Sequence, residues 1–208
     1  MNPHPSNIYT AGKALAEAQK ALIMIHGRGA KSEDILALHK YLNVADYALI
    51  APQGLHYSWY PQGFMAKIED NEPYLSGALE RIGETVDFIQ KAGISKNNIY
   101  FLGFSQGACL TLEFLARNAD KYGGAVAYIG GFIGERIYKE NYRGDFQNMP
   151  ILLCTSDPDF HVPVQRVHDT SAILKDMHAN ITTKIYPNQG HIVTKEQLAL
   201  TNELIFKF

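Results

Sequence analysis

Three segments of this sequence carry the side-chain types needed to attack a carbonyl carbon. Gly103-Phe104-Ser105-Gln106-Gly107 is a G-x-S-x-G pattern that follows the apolar run Ile99–Leu102 and precedes a helical apolar pattern. A serine on so sharp a strand-to-helix turn is held in a strained backbone conformation, with its hydroxyl raised above the sheet edge. Glycines two residues to either side leave room for neighbouring backbone, and the following helix offers N–H groups and a favourable dipole. A serine hydroxyl is a weak nucleophile at its own pKa, so it needs a base, and the base needs an orienting acid. On turns of this kind the acid and then the base follow the serine along the chain. Thr155-Ser156-Asp157-Pro158-Asp159-Phe160-His161 follows one later apolar run, and Asn188-Gln189-Gly190-His191 follows another. His191 is therefore expected to take the Ser105 proton. Asp157 or Asp159 is expected to hold its other ring nitrogen, and their spacing does not separate them.

Seven other histidines compete for the role of base. His4, His39 and His178 fall in the terminus or on helix surfaces and are expected to be solvated, and His168 lies on a helix. His56 and His161 sit in loops near the expected site. His161 is the main rival, but it neighbours the acid rather than following a separate strand. A tetrahedral intermediate also needs donors for its oxyanion. The N–H of Gln106, next after the serine, is the expected first donor. His26-Gly27-Arg28-Gly29, at the end of the apolar run Ala21–Ile25, is a glycine-bracketed turn able to aim a second N–H inward. Trp59, Tyr60 and Phe64 lie in a long Gly-, Pro- and aromatic-rich stretch, 51–70, and either wall a substrate pocket or fold that loop onto the body. His26 and His161 are further candidates to line the pocket. The Arg28 side chain either meets an anionic substrate group or is spent on solvent or a carboxylate.

Positioning these groups requires strands that end at one edge. Runs at 21–25, 47–50, 99–102, 125–129 and 151–154 are almost continuously apolar, as strands covered on both faces are. A sixth at 182–186 alternates and reads as an outer strand. Helical patterns occupy about 32–42 (with Ser32 as N-cap), 72–92, 106–118, 164–177 and 195–208. This alternation predicts a mostly parallel, doubly wound α/β sheet with helices on both faces, formed by a single domain over residues 1–208.

Composition narrows the remaining classes. The 208 residues are 46% hydrophobic and 19% charged, with formal net charge −2. That balance points to no nucleic-acid tract and no polybasic membrane patch. Two cysteines, Cys109 and Cys154, argue against a disulfide scaffold or a thiolate metal cluster, and both read as inert core thiols. No apolar run has the length of a membrane span, so stable membrane insertion is not expected. The first residues lack a charged segment followed by an apolar one, so the expectation is a cytoplasmic protein without a secretory signal.

Taken together, His26-Gly27-Arg28-Gly29, Gly103-Phe104-Ser105-Gln106-Gly107, Asp159-Phe160-His161-Val162-Pro163 and Gly190-His191 closely resemble the phospholipase/carboxylesterase family of α/β hydrolases. The family includes bacterial carboxylesterases and acyl-protein thioesterases, and the segment from Trp59 to Pro73 looks like the bacterial branch. The resemblance covers essentially the whole chain and implies the α/β-hydrolase fold, with no large lid at this length. It selects Asp159, three residues before the Val-Pro pair, as the acid. It also places Arg28 and Gln106 at the oxyanion positions. The implied activity is hydrolysis of a small-molecule carboxylic ester through an acyl-serine, with no cofactor or metal. Lysophospholipase or acyl-protein thioesterase activity is the alternative, and a non-catalytic small-molecule receptor on the same fold is the reading from another class. A homodimer is neither required nor excluded.

Overall fold

The computed structural model describes residues 2–207. Seven strands form one sheet: β1 (Ile8–Gly12), β2 (Lys20–Ile25), β3 (Tyr47–Pro52), β4 (Ile99–Phe104), β5 (Gly124–Tyr128), β6 (Pro150–Asp157) and β7 (Asn180–Pro187). Their spatial order is β1-β3-β2-β4-β5-β6-β7. β1 is antiparallel to β3 and every other neighbouring pair is parallel. The helices are α1 (Ser32–Leu36), α2 (Ile68–Asn71), α3 (Tyr74–Lys91), α4 (Gln106–Arg117), α5 (Val164–Asp176) and α6 (Lys195–Leu204).

Alternation along a strand feeds two separate cores. Ala21, Ile23 and Ile25 of β2 face α3, α4 and α5 together with Phe101, whereas Leu22 and Met24 face α1 and α6 together with Leu102. Successive side chains of a strand point to opposite faces, so a strand covered on both must be apolar throughout. Each of the larger of these side chains, the Ile, Leu, Met and Phe, contributes roughly 1.5–3 kcal/mol by leaving water.

The six expected strands are present, and β1 is a seventh that the sequence pattern did not reveal. Its five residues, Ile-Tyr-Thr-Ala-Gly, are only partly buried. An edge strand covered from one side needs no continuous apolar run. Ser32 does not cap α1. Lys31 occupies the N-cap position, and its N–H donates to the Asp34 carboxylate at 2.8 Å. The buried Ser32 hydroxyl donates instead to the Pro52 carbonyl at 3.0 Å, tying α1 to the end of β3. The helix tightens into a 3-10 turn over Ala37–Tyr41, and α6 ends at Leu204, with residues 205–207 outside it and the expected end at 208 beyond the described residues.

His4, expected in solvent, is buried. Its Nε2–H donates to the Tyr74 carbonyl at 2.9 Å and its Nδ1 accepts from the Leu55 N–H at 3.1 Å. The carboxyl ends of the parallel strands β2, β4, β6 and β7 lead directly into His26, Ser105, Asp159 and the 188–191 turn. Ligand sites of open α/β sheets form at this edge.

Candidate active site

Ser105 joins β4 to α4 with φ 54° and ψ −118°, a conformation L-residues rarely adopt. The sequence makes that turn possible through Gly103 and Gly107. A Cβ on Gly103 would lie 2.3 Å from the Gly107 carbonyl oxygen, and one on Gly107 would lie 2.2 Å from that of Ile25. The second approach also presses the start of α4 against the end of β2, bringing the His26–Gly29 turn beside the serine. The Ser105 N–H is anchored to the Tyr128 carbonyl at the end of β5, at 2.9 Å.

Three of the expected residues meet in one hydrogen-bonded chain. Ser105 Oγ lies 2.7 Å from His191 Nε2, and His191 Nδ1 lies 2.9 Å from Asp159 Oδ2. With Nδ1–H donating to the carboxylate, Nε2 is left to accept the serine proton. The other carboxylate oxygen of Asp159 accepts the N–H groups of His161 and Val162, both at 2.9 Å. Burial alone would raise the Asp159 carboxyl, but the donors His191, His161 and Val162 together outweigh it and hold it below the ordinary carboxylate value. Asp157 is exposed and takes no part. His161 is exposed too, its ring edge-on to His191 at 4.9 Å, and it lines the site rather than reaching the serine.

Holding His191 in place falls to a residue that the sequence pattern left unnoticed. Ser156, a buried hydroxyl near the end of β6, accepts the N–H groups of Gln189 and Gly190, each at 3.0 Å. Its only signal was its place among the polar residues Thr155, Ser156 and Asp157 that close an apolar strand.

The loop facing the serine is fastened from three directions. The Gln106 side chain accepts from the Trp59 N–H at 2.9 Å and donates to the Tyr60 carbonyl at 2.8 Å. The exposed Arg28, at the edge of the cleft, forms no ion pair with a carboxylate among the described residues; its guanidinium donates to the carbonyls of Tyr60, Pro61 and Gln62. Buried Asn71 accepts from the Gln62 N–H and donates to the Gly63 carbonyl. The backbone N–H groups of Arg28 and Gln106 stay the oxyanion candidates; that of Gln106, first in α4, has no acceptor within its helix.

The aromatics divide between packing and pocket. Trp59 is fully buried, its indole N–H donating to the His26 carbonyl at 2.9 Å and its ring lying between those of His4 and His26. It packs the loop and walls no cleft. The His26 ring is likewise buried behind its turn, with Nδ1–H donating to the Gly27 carbonyl and Nε2 accepting from the Gly54 N–H. Tyr60 and Phe64, with Ser105, Cys109 and Val162, line a cleft of about 340 Å³. Burial pushes the Cys109 thiol up to about 12, so beside Ser105 it is an apolar wall and not a nucleophile.

A serine elbow on the fourth strand of a mostly parallel sheet, with acid and base on loops after later strands, defines an α/β hydrolase. The model of the phospholipase/carboxylesterase family matches residues 10–207, and the chain belongs to that family. A phospholipase/carboxylesterase from Dyadobacter fermentans DSM 18053 superposes with TM-score 0.98 at 45% identity, covering 100% of this chain and 99% of that one. The Bacillus cereus carboxylesterase, at 18% identity and TM-score 0.78 over 94% and 91% of the two chains, shares the fold. A probable carboxylesterase of Oryza sativa is 27% identical over 133 residues, 64% of this chain and 57% of that protein. The chain spans about half the length of the curated relatives it matches. Among the described residues no helix is long and apolar enough to cross a membrane.

Proposed function

We propose that the protein is a serine carboxylesterase that hydrolyses small carboxylic esters through an acyl-Ser105 intermediate. The observation that carries this reading is the Asp159–His191–Ser105 chain at 2.9 and 2.7 Å, ending on a strained turn. Ser105 Oγ attacks the ester carbon while His191 Nε2 takes its proton. The N–H groups of Gln106 and Arg28 receive the oxyanion, each donor of this kind supplying about 10²–10³ in rate. His191 then protonates the departing oxygen, and water repeats the sequence on the acyl-serine. Asp159, kept ionised by its three donors His191, His161 and Val162, fixes the imidazole tautomer and stabilises the imidazolium. Side chains and backbone account for every proton, so the cycle calls on no cofactor. A cleft of about 340 Å³ lies at the small end of ligand pockets and favours a compact acyl group.

The test is a panel of short-chain esters, thioesters and lysolipids, run beside Ser105→Ala and a fluorophosphonate probe. Wild-type protein is expected to label at Ser105 and to turn over short esters best, with at least about a 10³-fold loss in the variant. Hydrolysis that survives in Ser105→Ala, or absence of labelling, sinks the reading. A preference for thioesters or lysolipids would move the substrate class while keeping the mechanism.

A further inference from the structure

A second groove, of about 350 Å³, adjoins the cleft. The two share Gly27, Ala30, Phe104 and His191, with the Phe104 and His191 rings 5.3 Å apart. Beyond these the linings differ. The cleft holds Ser105, Gln106 and Cys109, whereas the groove holds His26, Ile35 of α1, Leu38, Ile192 and Val193, with Asp34 as its one carboxylate. Ile192, directly after the proposed base, is 56% exposed on the groove's margin, and the Asp34 carboxylate is already engaged by the Lys31 N–H.

We infer that this groove receives the leaving alcohol of the ester, and that the preferred alcohols carry an apolar body. The inference rests on the esterase reading above. In acylation the bond between Ser105 Oγ and the carbonyl carbon forms and the bond from that carbon to the alcohol oxygen breaks. The electron pair stays on the alcohol oxygen, which takes the proton held on His191 Nε2. The acyl group must therefore remain on the Ser105 side, in the cleft, while the alcohol oxygen must come within hydrogen-bond reach of His191. Of the two spaces that adjoin His191, the groove is the one not lined by Ser105. Four aliphatic side chains line it, and they favour a hydrocarbon over a sugar or a charged headgroup.

Two ester series separate the sites: acetates of methyl, butyl and cyclohexyl alcohols, and ethyl esters of acetate, butyrate and hexanoate. Leu38→Phe is expected to cut kcat/KM on cyclohexyl acetate about 10-fold relative to methyl acetate, the scale set by a few methylenes in an apolar pocket. Ile192→Ser should weaken butyl against methyl acetate by about 3-fold or more on the same scale. The ranking of acyl chains should stay within about twofold in both variants, whereas Phe64→Trp in the cleft should shift acyl ranking and leave alcohol ranking alone. Ile192 is exposed enough that its variant folds, and a melting curve checks Leu38→Phe. An alcohol profile that does not move, or an acyl profile that moves instead, overturns the inference while leaving a Ser105-dependent esterase standing. Wild-type turnover that is unaffected by Ser105→Ala overturns both.

Discussion

Ser105 shows how a local cost becomes a reactive group. Its left-handed backbone costs on the order of 1–3 kcal/mol. Two glycines that let β2, β4 and α4 approach within backbone contact, and the bond from its N–H to Tyr128, hold it there. Asp159 is ionised for an equally local reason: its two oxygens accept three donors. The imidazole between them is only as well placed as the 188–190 turn that carries it, and Ser156 fixes that turn with two bonds. Ser156→Ala should therefore lower kcat by about 10-fold or more with KM little changed, because a small misplacement of a base costs rate rather than binding. Steady-state kinetics on a short ester check this. Restoration of kcat in Ser156→Thr would mark the hydroxyl as a positioning group, and a KM effect alone would argue against it.

At the scale of elements, the segment from Ser58 to Gly63 is held by side chains that lie elsewhere in sequence: Arg28 more than 30 residues before, Gln106 more than 40 after, and Asn71 nearby. Arg28 and Gln106 both line the cleft beside the serine, so the residues whose backbone N–H groups are proposed as oxyanion donors also fasten the loop with their side chains. Arg28→Ala is then expected to raise KM for neutral and carboxylate-bearing esters by similar factors, since the guanidinium is used up on three carbonyls. A loss confined to the anionic esters would show that it also meets substrate. None of this could be read from spacing. A motif names which backbone groups converge, but the acceptors of an exposed arginine depend on where a distant loop comes to rest. For the same reason Trp59, equally fit as a pocket wall or as packing by composition, became packing only when the rings of His4 and His26 came within contact of it.

Across the whole molecule, those two histidines tie the N-terminal segment, the long loop and the His26–Gly29 turn into one block. Each is locked neutral: His4 accepts from Leu55 N–H while donating to Tyr74, and His26 accepts from Gly54 N–H while donating to Gly27. Burial is the largest cause lowering both below the ordinary 6.5, with Arg81 adding to it at His4. Below about pH 6.5 the unfolded chain takes up protons that the folded one refuses, so their contribution is complete above that pH and is lost as pH falls through it. Urea midpoints should hold steady from pH 7 to 8 and decline from 6.5 to 5, and the decline should be shallower in His4→Gln. Equal slopes in the two proteins would assign the acid sensitivity elsewhere. Asp159, also depressed, acts in the same direction, its contribution being lost from the ordinary carboxylate value downward.

The sequence by itself determined the sheet's buried strands, the helices between them and the identities of serine, base and acid candidates. Each of these is written locally: apolar runs demand cover on both faces, and glycines at 103 and 107 permit one turn. What only the tertiary structure decided is everything that depends on two distant segments meeting. The edge strand β1 needed β3 as a partner. The choice of Asp159 over Asp157 became geometric once one carboxylate reached His191, and Ser156, the Arg28 side chain and the burial of His4 took their roles from contacts across the fold. Hydrogen bonds are directional and short, so a pattern in the chain can announce a donor, but only the folded arrangement supplies its acceptor.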